Sequence, residues 1–332
     1  MKKKMVAVLL TALMVCGLAA CGKADDSKSS AKSENSASGK AEYKVGICQL
    51  VQHESLDAAT EGFMAALKEE LGDKVEFDEQ NAQNDSNTCS TIINGFVSND
   101  VDLILANATP ALQAAAAGTN TIPVLGTCVT EYGVALEIDD FNGTVGGNIS
   151  GTADLAPLDK QAELVQSVFP DAKNVGLLYC SAEANSKYQV DTMKEYLEKM
   201  GYKCEYYAFS DSNDLSSVVS SAAGASDLIY VPTDNTVASN TGIIDNICLP
   251  AKVPVVGGDQ GICGGCGTIT ICVDYYDIGY TTGEMAAKIL TGESDVSKMP
   301  IEYSQNITMK YNPTNVEALG IKVPDEAVAI EK

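Results

Sequence analysis

Residues 44–71 read KVGICQLVQHESLDAATEGFMAALKEEL, and this stretch decides the fold. Its first part, residues 44–50, is a short apolar run of the kind that forms a buried strand. Its second part, residues 56–71, places apolar side chains such as Leu56 and Phe63 at helical spacing. A buried strand followed at once by an amphipathic helix indicates a parallel sheet that is covered by helices.

The same alternation continues along the chain and restarts once, after a break near residues 151–157. Two such α/β halves, joined by several crossing segments, would form a cleft and a hinge that can close around a ligand. We therefore expect two Rossmann-like lobes with a hinge of crossing segments, made of residues 43–152 plus 274–300 and of residues 153–273 plus 301–332. The predicted strands span 44–50, 75–77, 101–106, 122–127, 174–179, 203–209, 227–231 and 253–256, the predicted helices span 56–71, 88–97, 110–117, 159–168 and 186–200, and a strand–helix pair spans 268–290.

The N-terminus has the pattern of an export signal. Three lysines precede an apolar run, residues 6–18, that is shorter than the roughly 20 residues a spanning helix needs. The run ends in Leu-Ala-Ala-Cys, which resembles the lipobox of bacterial lipoproteins. That resemblance implies a signal peptide over residues 1–20 and a diacylglyceryl group on Cys21, which would anchor the protein to the outer face of the cell membrane. An ordinary secretory signal with a chance cysteine is the alternative.

The composition of the chain after the signal is polar at first and acidic throughout. Residues 21–42 are almost entirely small, polar or charged, so we expect a disordered tether. The formal net charge is −23, and it becomes −26 once the three lysines of the signal are removed. This acidity argues against nucleic acid as a partner. We expect a monomer. The lipid would be its only membrane anchor, because no later apolar run reaches spanning length.

The basic residues restrict the chemistry. All 22 of them are lysine, and His53 is the only histidine. Without arginine, no guanidinium fork can hold a carboxylate or a phosphate. A single histidine excludes a multi-histidine metal site and leaves only His53 for a Ser-His-Asp triad. The sequence also lacks a Gly-x-Ser-x-Gly elbow and a phosphate-binding Gly-x4-Gly-Lys-Ser/Thr loop. We predict that the chain is not an enzyme and uses no metal or cofactor.

Eleven cysteines are many for an exported chain. Cys16 would leave with the signal and Cys21 would carry the lipid. Several of the other nine lie in apolar strand-like runs, as Cys48 does, and this pattern indicates buried thiols. Cys263 and Cys266 form a lone Cys-x-x-Cys, which lacks the second pair or the histidines of a metal site. A local disulfide between these two is the alternative to free thiols.

Polar residues come after nearly every predicted strand. In parallel sheets, ligands bind beyond the carboxyl ends of the strands, where helix N-termini also point. Helix capping is the competing role for each of these residues taken singly. The candidate ligand-binding residues are Thr109, Thr127, Glu183, Asn185, Ser186, Thr233, Asp234, Asn235 and Asp259.

These groups would suit an α-amino acid. Helix N–H groups, hydroxyls and amides would hold its carboxylate, because no arginine is available. Its ammonium would pair with an acid, for which we predict Asp259 first and Glu183 second. Tyr132 or Tyr188 would line a pocket for the side chain, with ordinary packing as the alternative role of both tyrosines.

Several motifs, in order along residues 43–330, resemble the tryptophan/tyrosine-type family of ABC-transporter substrate-binding proteins. The resemblance implies a type I periplasmic-binding-protein fold and delivery of a small ligand to a membrane permease. Members whose ligand is known take aromatic amino acids. The chain departs from the family after Thr130, where Glu131 and Tyr132 replace the usual Asp-Pro. The motifs are VGICQLVQHESLDAATEGF from Val45, Asn81-Ala82-Gln83, DLILA from Asp102, Ala108-Thr109-Pro110-Ala111, Glu183-Ala184-Asn185-Ser186, YVPTDNT from Tyr230, and Asp274-Tyr275-Tyr276.

We therefore predict an extracytoplasmic lipoprotein that serves as the binding component of an ABC importer. Its ligand would be a small molecule, an amino acid and, by the resemblance, an aromatic one. A ligand-sensing lipoprotein that presents a small molecule to a receptor would have the same fold, and this alternative stays open.

Overall fold

The computed structural model describes residues 41–331. The predicted signal peptide, Cys21 and nearly all of the predicted tether lie outside the described residues. Within them, no helix combines the length and apolar character needed to cross a membrane. The prediction of two parallel-sheet α/β lobes is confirmed.

Strands and helices are numbered in chain order. The strands are β1 (Tyr43–Gln49), β2 (Val75–Asn81), β3 (Leu103–Asn107), β4 (Val124–Val129), β5 (Ile149–Ala153), β6 (Asn174–Cys180), β7 (Lys203–Phe209), β8 (Leu228–Val231), β9 (Val255–Gly257), β10 (Ile269–Val273), β11 (Glu302–Tyr303), β12 (Ile307–Tyr311) and β13 (Val328–Ala329). The helices are α1 (Glu54–Leu71), α2 (Ser86–Ser98), α3 (Thr109–Gly118), α4 (Tyr132–Ala135), α5 (Leu158–Val168), α6 (Ala184–Lys199), α7 (Ser212–Ala225), α8 (Asn235–Ala238), α9 (Thr241–Ala251), α10 (Gln260–Gly265), α11 (Tyr275–Leu290) and α12 (Pro313–Leu319), and Gly72–Lys74 and Val296–Lys298 form 3-10 turns.

The strands form one sheet in each lobe. The first sheet has the order β11-β5-β4-β3-β1-β2 and is parallel throughout. The second has the order β13-β12-β10-β9-β8-β6-β7 and is parallel except where β12 runs antiparallel to β10. The chain passes from one sheet to the other after β5, after β10 and after β11, which gives the predicted hinge of crossing segments.

The predicted lobe boundaries differ from the sheets at two places. Ala153, the predicted start of the second lobe, is the last residue of β5 in the first sheet. We predicted that residues 301–332 lie wholly in the second lobe, but Glu302 and Tyr303 pair with Thr152 and Ala153 of the first sheet. Both residues of this short strand are exposed, so no apolar pattern marks it in the sequence. The other boundaries stay a prediction.

Each sheet is buried on both faces, which explains the continuous apolar runs of its strands. In the first lobe, Phe63 of α1 and Met285 of α11 pack on one face of the sheet. Phe96 of α2 and Leu112 of α3 pack on the other face. In the second lobe, α5 and α6 cover one face, and α7 and α9 cover the other.

Helices α1 and α11 touch along their backbones. A Cβ atom built on Gly279 would lie 1.9 Å from the carbonyl oxygen of Ala59, and one on Gly62 would lie 2.2 Å from that of Tyr276. Only glycine allows so close an approach. This packing fixes the N-terminus of α1 beside that of α11, and both N-termini face the cleft between the lobes.

All nine cysteines of the described residues are buried and have free thiols. Cys263 and Cys266 are among them, so the structure has the two free thiols rather than the disulfide at this pair. Burial raises the pKa of both thiols well above the usual range. They therefore behave as small apolar groups of the core, as the strand-like runs indicated.

Candidate ligand-binding site

Each sheet has a point where its strand order reverses. In the first sheet β1 lies between β2 and β3, and in the second β6 lies between β7 and β8. Such reversals open a crevice at the carboxyl ends of the strands, where ligands of open α/β sheets bind. The segments after β1, β6, β8 and β9 carry His53, Glu183, Asp234 and Asp259. The fold thus brings residues far apart in sequence to one cleft.

The cleft between the lobes narrows to a gap that leaves no room even for a water-sized sphere. Ligand pockets are usually larger, roughly 300–1,000 Å³. A ligand would therefore enter with the lobes apart and be enclosed as they close. The residues that line the gap are His53, Ser55, Leu56, Cys128, Thr130, Asp154, Asn185, Thr233, Asp234, Asn235, Asp259 and Tyr275.

Asp259, the predicted partner of an ammonium group, lies at this gap. It is the N-cap of α10, and its Oδ1 accepts a hydrogen bond of 2.8 Å from the backbone N–H of Ile262. Its Oδ2 is buried and has no hydrogen-bond partner among the described residues. Burial raises the pKa of Asp259 to about 7. One oxygen of this carboxyl therefore holds the helix, and the other is left for a ligand.

Asp154 supplies a second carboxyl of the same kind. It comes directly after β5, at the first crossing between the lobes, and its Oδ2 accepts a hydrogen bond of 3.0 Å from the hydroxyl of Tyr275. Its Oδ1 is buried and unpaired within residues 41–331. Burial raises the pKa of Asp154 to about 6.

Asp234 differs from these two, because both of its oxygens serve the second lobe. Its Oδ1 accepts from the N–H of Val237 at 2.9 Å, which caps α8, and its Oδ2 accepts from the N–H of Cys180 at 2.7 Å. Burial, and after it the charge of Glu183, raises the pKa of Asp234 to about 8. We therefore assign Asp234 to the framework of the site.

The gap thus has three buried carboxyl groups, and no lysine is among its lining residues. A buried carboxylate without a compensating cation costs several kcal/mol. The two free oxygens, Asp154 Oδ1 and Asp259 Oδ2, therefore create a demand for a cationic group. A ligand ammonium would meet that demand, and these two carboxyls would become fully charged beside it.

A negatively charged group of a ligand would be favoured at the start of α1. Its N-cap residue, His53, makes no capping hydrogen bond with its side chain. The first N–H groups of a helix have no partner within the helix, and they carry the positive end of its dipole. Ser55 lies in this first turn, at the gap, and its buried Oγ is unpaired among the described residues. This helix start can hold a carboxylate without arginine.

His53 also contacts the other lobe. Its Nε2 lies 3.2 Å from Oδ1 of Asn235, while its Nδ1 is buried without a partner among the described residues. Burial lowers the pKa of His53 below the usual range. The only histidine of the sequence is therefore a neutral ring at the closed cleft.

Glu183, the second predicted partner for an ammonium, has its carboxylate occupied. Its two oxygens accept four hydrogen bonds of 2.7–3.0 Å from the backbone and side chains of Asn235 and Thr236. The residue is 4% exposed and is absent from the residues that line the gap. Glu183 therefore has no oxygen left for a ligand, in contrast to Asp259 and Asp154.

The structure brings some of the other candidates to the gap and not others. Asn185, Thr233 and Asn235 line it, and the buried Oδ1 of Asn185 is unpaired among the described residues. Thr127 lies inside the first lobe, where its hydroxyl contacts those of Thr152 and Thr282. Thr109 and Ser186 are buried but do not line the gap.

The two tyrosines considered for a side-chain pocket lie elsewhere. Tyr132 is 1% exposed, and its hydroxyl donates to the carbonyl of Thr152 at 3.0 Å in the core of the first lobe. Tyr188 is half-buried on α6 and does not line the gap. Tyr275 is the tyrosine that does line it.

Sequence reasoning missed Asp154 and Tyr275. The segment before Asp154, Ile-Ser-Gly-Thr-Ala, has no continuous apolar run, so the sequence does not predict β5 or a ligand-binding residue at its carboxyl end. Tyr275 begins α11, immediately after the N-cap Asp274. A search for polar residues one or two positions after β10 would have found it. Within residues 41–331, no group of three or more His, Cys, Asp or Glu side chains is placed to hold a metal ion.

Solved structures share this fold. A domain from Streptococcus pneumoniae in complex with L-Trp is 32% identical, has a TM-score of 0.83, and matches over 87% of this chain and 100% of that one. The ligand-free, open structure of a substrate-binding protein with adhesive properties from Clostridium difficile is 38% identical, has a TM-score of 0.67, and matches over 87% of this chain and 99% of that one. The higher score with the ligand-bound structure agrees with a closed cleft.

The fold and the cleft define a type I periplasmic binding protein, as predicted. Residues 44–331 match the family described as ABC transporter substrate binding protein. A tyrosine-binding protein of Clostridioides difficile is 35% identical over 328 residues, which is 96% of this chain and 93% of the relative. The chain belongs to the ABC transporter substrate-binding protein family.

Proposed function

We propose that this protein binds a free aromatic α-amino acid in the cleft and delivers it to the permease of an ABC importer. One observation carries the ligand class. Two unpaired carboxylate oxygens, Asp154 Oδ1 and Asp259 Oδ2, share a buried gap with an uncapped helix start at Ser55. A ligand with a cationic and an anionic group close together satisfies both sides of this gap.

The ammonium would lie between the two carboxyls. Hydrogen bonds between charged partners contribute about 1.5–3 kcal/mol each. The raised pKa values of Asp154 and Asp259 belong to the empty, closed cleft, where each carboxyl is buried without a cation. An ammonium in the gap would restore the charged state of both.

The carboxylate would lie at the first turn of α1. The hydroxyl of Ser55 and the free N–H groups of that turn are the donors. Because α1 is packed backbone to backbone against α11, these donors stand at a fixed position relative to Tyr275. Asp154 is held near these donors through its hydrogen bond with Tyr275, whereas Asp259 belongs to the second lobe and would reach the ligand as the cleft closes.

An aromatic side chain is favoured by the relatives and agrees with the lining. One relative is named for tyrosine, and one solved relative contains L-Trp. In this chain Leu56, Cys128 and the ring of Tyr275 give the gap an apolar part. The hydroxyl of Tyr275 is held by Asp154, so its ring has a fixed orientation for packing against a ligand ring.

Isothermal titration calorimetry on protein freed of bound ligand tests the ligand class. We expect L-tyrosine or L-tryptophan to bind, and L-leucine to bind more weakly. Tyramine lacks the carboxylate and 3-(4-hydroxyphenyl)propionate lacks the ammonium, so each should lose most of the affinity. Saturation at 100 times the Kd should raise the free energy of unfolding by about 2.7 kcal/mol. The proposal would be refuted if none of the amino acids binds, or if the analogue without an ammonium binds as tightly as the amino acid itself.

Delivery to a permease is a separate step. We expect cells that lack this protein to lose uptake of the labelled amino acid, and the wild-type chain to restore it. The variant Cys21→Ser, without the predicted lipid site, should release the protein from the membrane fraction. A sensing lipoprotein would instead leave uptake unchanged on deletion and alter a transcriptional response to the ligand.

A further inference from the structure

The carboxylate of Glu183 receives four donors from two consecutive residues at the start of α8. Its Oε2 accepts from the backbone N–H and the side-chain amide of Asn235, at 3.0 and 2.7 Å. Its Oε1 accepts from the backbone N–H and the hydroxyl of Thr236, at 2.9 and 2.8 Å. Asn235 and Thr236 are therefore both held by a single buried side chain of the same lobe.

This arrangement fixes the orientation of the Asn235 amide. An ionised carboxylate only accepts hydrogen bonds, so Asn235 must turn its NH₂ group toward Glu183. Its Oδ1 then points the other way and lies 3.2 Å from Nε2 of His53, which belongs to the first lobe. Because Oδ1 is an acceptor, Nε2 must carry the proton. The other ring nitrogen, Nδ1, is then an acceptor, buried at the gap without a partner among the described residues.

The hydroxyl of Thr236 is fixed in the same way. Its hydrogen goes to Glu183, so only a lone pair is left for other contacts. That oxygen lies 3.0 Å from Nδ2 of Asn84, which again belongs to the first lobe. Asn84 donates this second hydrogen bond across the cleft.

We infer that Glu183 is a positioning residue for closure of the cleft, because it holds Asn235 and Thr236 so that each presents an acceptor to the opposite lobe, at His53 and Asn84. The inference rests on the proposed function, since closure around a ligand is what the two hydrogen bonds would stabilise. Removing the negative charge of Glu183 should leave Asp154, Asp259 and Ser55 in place for the ligand and weaken the closed form. The amide of Asn185 also donates to Oε2 of Glu183, at 3.3 Å, but the carbonyl of Thr233 holds it as well, at 3.0 Å.

The variant Glu183→Gln tests this, with Glu198→Gln, an exposed change near the end of α6, the helix that follows Glu183, as the matched control. The glutamine amide would place an NH₂ group against donors of Asn235 or Thr236. The probe is L-tyrosine or L-tryptophan, whichever the wild-type protein binds. We expect Glu183→Gln to raise the Kd at least tenfold, mainly through faster dissociation. Glu198→Gln should stay within twofold of the wild type.

The protonated nitrogen of His53, the single histidine, gives a second readout, which a general loss of stability would not change. Protein labelled with ¹⁵N-histidine shows one imidazole, and its protonated and unprotonated nitrogens have well-separated chemical shifts. The ligand-bound wild type should show a proton on Nε2 and none on Nδ1. In bound Glu183→Gln, the Asn235 amide is free to turn over, so we expect that single form to be replaced by a mixture or by the Nδ1–H form.

The outcomes separate the two proposals. Failure of the wild type to bind either amino acid would refute the proposed function and this inference with it. Binding by the wild type, with a Kd or a His53 spectrum of Glu183→Gln equal to those of the wild type, would refute the inference alone.

A second variant, at the exposed residue Asn84, tests the inference if Glu183→Gln does not fold. Asn84→Asp keeps the size of the side chain but turns the donor into an acceptor that faces the lone pair of Thr236. Asparagine and aspartate both tolerate the left-handed backbone found here, where φ is 62°. We expect at least a fivefold rise in Kd, with Asn94→Asp on the exposed side of α2 as the control. Equal affinities of Asn84→Asp and the wild type would also refute the inference.

Discussion

Asp259→Asn separates the two tasks that the structure gives to one carboxyl group. Oδ1 caps α10, and asparagine caps a helix about as well as aspartate does. Oδ2 is the buried, unpaired atom at which we place the ligand's ammonium. The substitution should therefore keep the helix and remove the charge that the ligand needs.

The size of the effect depends on the second carboxyl. Truncating one partner of a buried charge pair costs about 2–5 kcal/mol. Asp154 still offers its own free oxygen, so we expect the lower part of this range, about 2–3 kcal/mol, or roughly 30- to 150-fold in Kd. Stability should move in the opposite direction. The pKa of Asp259 is raised to about 7 in the closed protein, above the unfolded value of about 3.9, so its charged form destabilises the closed, empty protein as the pH rises through that range.

The assay is calorimetric titration of the bound amino acid together with urea unfolding of the empty protein at pH 8. Asp259→Asn should bind 30- to 150-fold more weakly and unfold at the same or a higher urea concentration. Asp211→Asn is the control, because Asp211 is also an N-cap, of α7, but lies on the exposed surface. Affinity of Asp259→Asn within threefold of the wild type would show that the ammonium is not at this carboxyl. Unfolding of Asp259→Asn at a much lower urea concentration than the wild type would show that the main role of Asp259 is to cap α10.

Burial and close packing give three further predictions. Asp154 and Asp259 have pKa values of about 6 and 7 in the closed cleft, so they take up protons when the cleft closes. The radius of gyration of the empty protein, measured by X-ray scattering, should therefore fall as the pH is lowered from 8 to 6. At still lower pH His53, whose pKa is lowered by burial, should oppose closure. Gly279→Ala should lower the free energy of unfolding by about 2 kcal/mol or more in urea titration, because its Cβ would lie 1.9 Å from Ala59 O, whereas Gly95→Ala on α2, with no atom within 4 Å, should be neutral or stabilising. Cys128 is the one cysteine among the residues that line the gap, and burial raises the pKa of its thiol well above the usual range. N-ethylmaleimide should therefore modify it slowly and only in the open protein, and bound amino acid should slow the reaction further, as mass spectrometry of wild type and Cys128→Ala would show.

The sequence predicted the fold well because the strands of a doubly covered sheet are apolar on both faces. The run from Lys44 to Leu50 and the helix after it have this character, and the structure has β1 and α1 there. The four strands that were not predicted, β5, β11, β12 and β13, lack it. No residue of β12 or β13 is buried. β5 contains Ser150, Gly151 and Thr152, and β11 is two exposed residues long.

The site was predictable only in part, for a related reason. Asp259 comes after an apolar strand and opens a helix, so the rule on strand ends found it. The same rule selected Glu183, but sequence does not show that Asn235 and Thr236, more than fifty residues later, occupy both of its oxygens. Asp154 was missed because its strand was missed. Which oxygens remain free is a property of the folded chain, since it depends on partners from other elements.

The lack of arginine determines how such a site can be selective. An arginine fork would bind any carboxylate, whereas a helix start offers weaker, neutral donors. In this chain the stronger selection falls on the ammonium, because Asp154 and Asp259 each leave a buried oxygen unpaired in its absence. A carboxylic acid without an ammonium would leave those carboxyls buried and without a hydrogen-bond partner. A site built to bind a polar group of the ligand rejects ligands that lack this group more strongly than an apolar pocket would. The two cross-cleft hydrogen bonds that Glu183 directs would stabilise the closed form, in which these carboxyls are shut off from water and the selection for an ammonium is strongest.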